Sequence, residues 1–226
     1  MQLKFEREGY MLLRELSIHE FAAQLASRQP APGGGSAAAV SGLLGVSLLE
    51  MVVNLSLGRP DLAEYADMLV ERQKGLAVLH KKLEELIDRD ADAFSAVIAA
   101  YGLPKATAEE KEARAAQIQQ ALRQAAEVPT EVARAALESL EIGKSLLGKI
   151  NAHVVSDLMI GVLLSYNAVT AALLNTAINL PALRDQAVVA ALRGQIHVLR
   201  TAADELYKTV ADEVYSTETF AVMRMD

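Results

Sequence analysis

Residues 36–57 read SAAAVSGLLGVSLLEMVVNLSL, and Glu50 is the only charged residue among them. Small and apolar residues lie all around the helical wheel, a pattern typical of a helix that is buried on every side. Residues 156–180 read SDLMIGVLLSYNAVTAALLNTAINL and form a second stretch of the same kind. Together the two stretches predict an all-α fold: a single-domain bundle of long antiparallel helices with two buried apolar helices.

The amino-acid composition favours helices over a β-sandwich. Of the 226 residues, 52% are hydrophobic but only 4% are aromatic, and there is no tryptophan. A core of Ala, Leu, Val and Ile suits packed helices, whereas strands favour β-branched and aromatic residues. We therefore predict one helical domain over residues 17–226. Residues 1–16 are expected to form an N-terminal arm, which lacks the pattern of a signal peptide.

Charge and cysteine content limit the classes of function. The chain has no cysteine, which excludes disulfides and thiolate zinc sites and favours a cytoplasmic location. Its net charge of -7 argues against non-specific binding of nucleic acid. Both apolar stretches are long enough to span a bilayer. Neither has flanking positive charge or an aromatic belt, so no membrane association is expected.

Capping residues and prolines indicate where the helices begin. Ser17 and Thr107 are each followed three residues later by glutamate, which is the spacing of a capping box. Pro129 predicts a break in the fourth helix, because proline interrupts helical hydrogen bonding. The predicted first residues are Ser17, Ser36, Pro60, Thr107, Pro129, the caps Ser156 and Asp157, and Pro181.

The turn Gly33-Gly34-Gly35-Ser36 leads into the first apolar helix. A helix N-terminus presents unpaired N–H groups and positive potential to a ligand oxygen or ring. The spacing of the glycines does not match the nucleotide-binding motifs. The turn is therefore either a ligand site or a flexible joint that lets the buried helix start close to its neighbours.

Asp88, Asp90 and Asp92 lie close together in the long helix after Pro60. At about 100° per residue, Asp90 falls on the apolar stripe, whereas Asp88 and Asp92 point to roughly the opposite side. A carboxylate on such a stripe is costly unless it is paired, protonated or facing a ligand. Asp90 is therefore a candidate functional acid, and the alternative is a buried ion pair.

Polar residues also mark the second apolar stretch. Asn151, Ser156 and Asp157 lie where a loop enters it, as candidate ligand contacts or as simple helix caps. Asn167, Thr170, Asn175 and Asn179 follow within the helix, where some are expected only to bond neighbouring helices. The four histidines show no pairing and no E-x-x-H, H-E-x-x-H or nucleophile-elbow motif occurs, so neither a metal site nor covalent serine chemistry is predicted.

Residues 30–38, PAPGGGSAA, resemble the signature of the cyclodeaminase/cyclohydrolase family. This family includes the C-terminal domain of formiminotransferase-cyclodeaminase and stand-alone methenyltetrahydrofolate cyclohydrolases. Further matching segments follow in family order from Ser17 onward: residues 88–94, 103–107, 126–129, Asn151 with Ser156-Asp157, and 175–180. One departure is that the Gly-Asn pair of the family is separated here into Gly148 and Asn151.

The resemblance implies an all-helical homodimer that takes a tetrahydrofolate derivative as its substrate and holds no permanently bound cofactor. It places the folate site near Gly33, Gly34, Gly35 and Ser36, and it places a catalytic aspartate in the run from Asp88 to Asp92. The stripe selects Asp90, with Asp88 as the second choice. Asn151, Ser156 and Asp157 are expected to complete the pocket. Lys105, Lys144 or Lys149 are expected to contact the anionic glutamate tail.

Two reactions fit this resemblance. A formiminotetrahydrofolate cyclodeaminase releases ammonia and forms 5,10-methenyltetrahydrofolate, and a methenyltetrahydrofolate cyclohydrolase forms 10-formyltetrahydrofolate. The sequence leaves the choice open. It also leaves open a catalytically silent folate-binding or helical interaction protein, because a fold alone does not determine function.

Overall fold

The structure is a computed structural model that describes residues 11–224. Six α-helices occupy this part of the chain. They are α1 (Ile18–Leu25), α2 (Gly34–Asn54), α3 (Ala66–Tyr101), α4 (Ala108–Ser145), α5 (Val155–Asn179) and α6 (Gln186–Ser216). Short 3-10 turns lie between or beside them at Leu13–Glu15, Pro60–Tyr65, Ala152–Val154, Leu180–Ala182 and Glu218–Met223. The all-α prediction is confirmed. Residues 1–10 of the predicted arm lie outside the described residues.

Helices α2, α3, α4 and α5 form an antiparallel four-helix bundle, and α6 packs along α4 and α5. The two apolar helices, α2 and α5, approach each other closely through small residues. A Cβ added to Gly45 would lie only 2.9 Å from the carbonyl oxygen of Gly161, which is closer than real Cβ atoms come to other atoms. Ser41 Oγ on α2 donates to the Leu164 carbonyl on α5 at 3.0 Å. This close packing fixes the position of α2 against α5.

Helices α3 and α4 are much longer than their partners, with 36 and 38 residues against 21 in α2 and 25 in α5. They extend beyond the N-terminus of α2 and the C-terminus of α5. There they form a second apolar cluster with the start of α6, which includes Val97, Ile118, Leu122, Leu183 and Leu192. Because α3 continues beyond the N-terminus of α2, the Gly-rich turn lies beside the interior of α3 rather than beside one of its ends.

The predicted break at Pro129 is wrong, because α4 runs through it without interruption. Proline has no N–H to donate to the carbonyl four residues earlier, which is that of Ala125. Asn179 Nδ2 on α5 supplies the missing donor to this carbonyl at 3.0 Å. A side chain from a neighbouring helix therefore satisfies the carbonyl group that proline leaves free.

The prediction that α2 is buried on every side is also wrong, and α5 resembles α2 in its exposure. Both are long and apolar enough to cross a membrane by length and composition, and half of each such window is buried inside the bundle. The exposed side carries large apolar residues, among them Leu44 and Met51 on α2 and Leu174 and Ile178 on α5. Each apolar helix therefore has one face in the core and one at the surface.

Two of the predicted helix starts need correction. Ser156 and Asp157 lie inside the first turn of α5 rather than at its cap, which is Val154. The capping side chain in this region is that of Asn151, whose Oδ1 accepts from the His153 N–H at 3.1 Å and caps the 3-10 turn that precedes α5. Pro181 lies in a 3-10 turn. Helix α6 begins after it, capped by Asp185. The capping boxes at Ser17 and Thr107 are both present as predicted.

Candidate active site

Asp90 on α3 faces the first turn of α2. Its Oδ2 accepts two hydrogen bonds from Ser36, from the backbone N–H at 2.8 Å and from Oγ at 3.1 Å. Ser36 is fully buried, and its Oγ also lies 3.0 Å from the Ile87 carbonyl. The first N–H groups of a helix have no partners within the helix and carry positive potential, so they bind a carboxylate well. The Ser36 amide, expected to contact the substrate, is therefore occupied by Asp90.

Gly35 brings a second residue to the same place. A Cβ on Gly35 would overlap both Asp90 Oδ1 and Asn175 Nδ2, whereas a Cβ on Gly34 would meet nothing within 4 Å. The carboxylate and the amide of Asn175 therefore both lie against the bare backbone of Gly35. Only glycine leaves room for them, so Gly35 does more than provide a flexible joint.

Asn175 is held by contacts at the C-terminal end of α5. Its backbone carbonyl accepts a hydrogen bond from Asn179 Nδ2 at 2.9 Å. The next residue, Thr176, has its Oγ1 3.1 Å from Thr130 Oγ1 on α4. Asn175 lies in a segment that resembles the family but is not among the predicted site residues. The signal that could have found it was an amide on an apolar helix within a family-like segment.

The environment of Asp90 changes its acidity. Burial raises the pKa of Asp90 above its ordinary value of 3.8, although the two hydrogen bonds from Ser36 act in the opposite direction. Among the described residues, Asp90 Oδ1 accepts no hydrogen bond, while Oδ2 accepts both from Ser36. A partly desolvated carboxylate with one oxygen fixed and one open is suited to accept a proton from a bound molecule.

Asp88, the second choice for a catalytic aspartate, has a different environment. It is 6% exposed, its Oδ1 accepts from the Leu13 N–H at 2.7 Å, and Arg14 lies 3.3 Å from its Oδ2. As predicted, it points away from the face that carries Asp90, but the N-terminal segment covers it there. These contacts give Asp88 a structural role in holding residues 13 and 14 against α3, and they favour Asp90 as the functional acid.

The other predicted pocket residues lie at the opposite end of α2. The Asn151 N–H donates to Ser56 Oγ at 2.9 Å, just beyond the C-terminus of α2. Since α2 has 21 residues at about 1.5 Å each, its two ends are about 30 Å apart. Ser156 and Asp157 begin α5 at this same end, so one chain does not bring these three residues to the Gly-rich turn.

The three lysines proposed for the glutamate tail are also divided between the two ends. Lys144 and Lys149 lie at the C-terminal end of α4, which is the Asn151 end of the bundle, and Lys149 Nζ donates to the Ser145 carbonyl at 3.3 Å. Lys105 lies in the loop between α3 and α4, at the Asp90 end. Among residues 11–224, no group of three His, Cys, Asp or Glu side chains could hold a metal ion.

A sequence model of the formiminotransferase-cyclodeaminase family matches residues 17–198. The chain belongs to this family. Membership confirms the predicted resemblance and, with it, the enzyme class: a folate one-carbon enzyme of the cyclodeaminase/cyclohydrolase type.

Relatives differ in how much of their length the chain covers. It is 42% identical to the methenyltetrahydrofolate cyclohydrolase of Methylorubrum extorquens over 174 residues, which are 76% of this chain and 82% of that protein. It is 32% identical to the formimidoyltransferase-cyclodeaminase of Mus musculus over 173 residues, 76% of this chain but only 32% of that protein. The crystal structure of formiminotetrahydrofolate cyclodeaminase from Thermotoga maritima has the same fold, with a TM-score of 0.81 at 24% identity over 90% of this chain and 98% of that one.

Proposed function

We propose that this enzyme acts on the single carbon carried between N5 and N10 of tetrahydrofolate, with Asp90 as its catalytic residue. The observation that carries the proposal is the arrangement of Asp90: Oδ2 is fixed by Ser36, and Oδ1 lies against Gly35 beside the Asn175 amide. The folate enters as substrate, and no permanently bound cofactor is part of the proposal.

The two reactions of the family need the same kind of group. In the hydrolase, water attacks the cationic methenyl carbon and loses one proton, the bond to N5 then breaks with its electron pair on N5, and N5 gains that proton. The remaining hydroxyl proton is released to solvent as the formyl C=O forms. In the deaminase, N10 attacks the carbon of the protonated formimino group, the N10 proton passes to the departing nitrogen, and ammonia leaves with the electron pair of its C–N bond. Asp90 in its ionised form would take the proton of the attacking group and return it to the leaving nitrogen. Its negative charge would also stabilise the amidinium character of the carbon.

Asn175 would orient the substrate in this scheme. An amide presents two N–H donors and one acceptor oxygen, which suits the polar edge of a pterin ring or the nitrogens beside the reacting carbon. The backbone that carries this amide is fixed by hydrogen bonds at the end of α5. A side chain on a fixed backbone loses less freedom on substrate binding than one on a mobile segment.

Between the two reactions we favour methenyltetrahydrofolate cyclohydrolase. The supporting observation is that a relative of that name is 42% identical and is matched over 82% of its length. The formimidoyltransferase-cyclodeaminases, by contrast, are matched over about a third of theirs. Cyclodeaminase is the second candidate.

Parallel spectrophotometric assays with the purified protein distinguish the candidates. We expect loss of the methenyltetrahydrofolate chromophore above the spontaneous rate. Appearance of that chromophore from formiminotetrahydrofolate, together with ammonia, would identify a deaminase instead. Tight folate binding with no change in either assay would show a catalytically silent protein, and no binding at all would contradict the proposal altogether.

The exposed apolar side of α2 and α5 is the surface we propose for a homodimer. Leu44, Met51, Leu174 and Ile178 would be covered there by a second copy, since large exposed apolar patches mark interaction sites. A two-fold axis perpendicular to α2 would bring the Asn151 end of one copy to the Asp90 end of the other. This placement would reunite the two groups of predicted pocket residues. A mass in solution near that of one 24.3 kDa chain would contradict it.

We propose a cytoplasmic location for the protein. The observations that support it are the absence of cysteine and the net charge of -7. A chain without cysteine forms no disulfide and so does not require an oxidising compartment. Fractionation of the source cells, with the protein followed by antibody, would contradict this location if the protein appeared outside the cytosolic fraction.

A further inference from the structure

A cavity of about 300 Å³ lies at the far end of the extension formed by α3 and α4. The ends of these helices and the loop before α6 enclose it, and Ile118 and Leu122 contribute apolar walls. Arg114 and Arg184 line it, and no acidic residue does. The net charge of the chain is -7, but among the described residues the walls of this cavity carry two positive charges and no negative one. Such a cavity attracts an anion.

Arg114 is held in position with one donor unused. Its Nη2 donates to the Tyr101 carbonyl at 3.0 Å, and its guanidinium lies 5.7 Å from the centre of the Tyr101 ring. Its Nε is buried and has no hydrogen-bond partner among the described residues. A buried donor is normally paired, so an acceptor from a ligand would complete this arrangement.

Arg184 lies in a loop whose backbone is fixed although its side chain is exposed. Gln119 on α4 accepts from the Arg184 N–H at 2.8 Å and donates to the Ala182 carbonyl at 3.1 Å. Among residues 11–224, neither Arg184 nor Arg114 forms an ion pair with a carboxylate. The guanidinium of Arg184 is therefore available to an anion from outside the chain.

The cavity lies along the same side of α3 as Asp90. Tyr101 follows Asp90 by eleven residues, which amounts to three helical turns and about 16 Å. Between them, Phe94 and Ile98 expose apolar surface. Along this side of α3 the order is therefore the Asp90 carboxylate, the apolar stretch, and then the two arginines, which α4 and the loop before α6 contribute.

We propose that Arg114 and Arg184 bind the carboxylates of the glutamate tail of a polyglutamylated folate substrate. This inference rests on the proposed function, because it needs the reacting carbon to lie at Asp90. The aromatic part of folate is attached at N10, next to that carbon, and the glutamates follow it. The order of carbon, ring and carboxylates therefore matches the order of features along α3. Within one chain, Arg114 and Arg184 lie at the Asp90 end of the bundle, whereas Lys144 and Lys149 lie at the other end.

Arg184→Glu tests the proposal, since this side chain is exposed and its loss leaves the core intact. We expect KM for a triglutamate substrate to rise about tenfold or more, which is the effect of losing one charge-assisted contact. Turnover number should change less than about twofold, because the tail does not take part in the chemistry. KM for the monoglutamate substrate should also change less than about twofold, because this substrate lacks the outer glutamates that Arg184 is proposed to bind. Arg114→Gln should act in the same direction.

Arg193→Glu is the matched control, because Arg193 is an exposed arginine on α6 that does not line the cavity. It should leave both KM values unchanged. Unchanged KM for the triglutamate in the Arg184 variant, with normal turnover of both substrates, would overturn the tail site and leave the proposed function standing. Absence of turnover in the wild-type protein would instead overturn the proposed function, and this inference with it.

Discussion

Replacing Gly35 with alanine is expected to lower turnover at least about a hundredfold. The added Cβ would overlap Asp90 Oδ1 and Asn175 Nδ2, so both side chains must move away from the turn. Both belong to the proposed catalytic arrangement, in which a displacement of about 1 Å is enough for a loss of this size. The measurement is kcat on the folate substrate, together with the thermal unfolding temperature of the variant.

Gly34→Ala provides the control for this prediction. Gly34 is exposed, and a Cβ there would meet nothing within 4 Å. The two variants lie in the same turn and add the same methyl group, so they differ only in what the methyl group meets. We expect Gly34→Ala to retain turnover. Full activity in a folded Gly35→Ala variant would show that Asp90 and Asn175 need not occupy their present positions.

Asp90→Asn is expected to lower kcat by about two to four orders of magnitude, the usual range for removing a general acid-base group. Folate affinity should change little, because the side-chain shape is retained and the amide oxygen can still accept the hydrogen bond from the Ser36 N–H. The measurement combines kcat with direct folate binding. An Asp90→Asn variant that keeps full turnover would contradict the assignment of the catalytic residue.

The same variant should also change how stability depends on pH. Because burial raises the pKa of Asp90, the folded state binds this proton more tightly than the unfolded state does. Stability contributed by this group is therefore present at low pH and falls as pH rises from about 3.8 through the folded pKa. Asparagine has no such proton. We expect Asp90→Asn to gain stability relative to wild type over this window and to be at least as stable at neutral pH.

The sequence predicted those features that depend on local pattern. Continuous apolar composition identified α2 and α5, apolar periodicity identified the stripe on α3, and the capping boxes at Ser17 and Thr107 follow from a spacing of three residues. Asp90 was selected because a carboxylate on an apolar stripe is costly, and in the structure it does face the Gly-rich turn. In each case the signal that decides the prediction lies within one helix or at its first turn.

The features that the sequence did not predict depend on contacts between distant segments. Pro129 breaks no helix because Asn179, fifty residues later in the chain, satisfies the Ala125 carbonyl. Asn151 is separated from the Gly-rich turn by the length of α2, a distance that no local motif encodes. Helix α2 looked buried on every side because composition does not reveal which of its faces the rest of the chain leaves exposed. Asn175 carries only a weak sequence signal, an amide on an apolar helix, and its place beside Gly35 depends on the packing of α5 against α2.

The central claim is that an ionised Asp90, desolvated but held by Ser36, performs the chemistry, and the pH dependence of kcat/KM tests it most directly. Wild type should lose activity on the acid side with an apparent pKa above the ordinary 3.8 of aspartate. Ser36→Ala removes the hydroxyl hydrogen bond that lowers this pKa, so its acid limb should move to higher pH while activity survives at alkaline pH. An acid limb at the same pH in both proteins would contradict the claim.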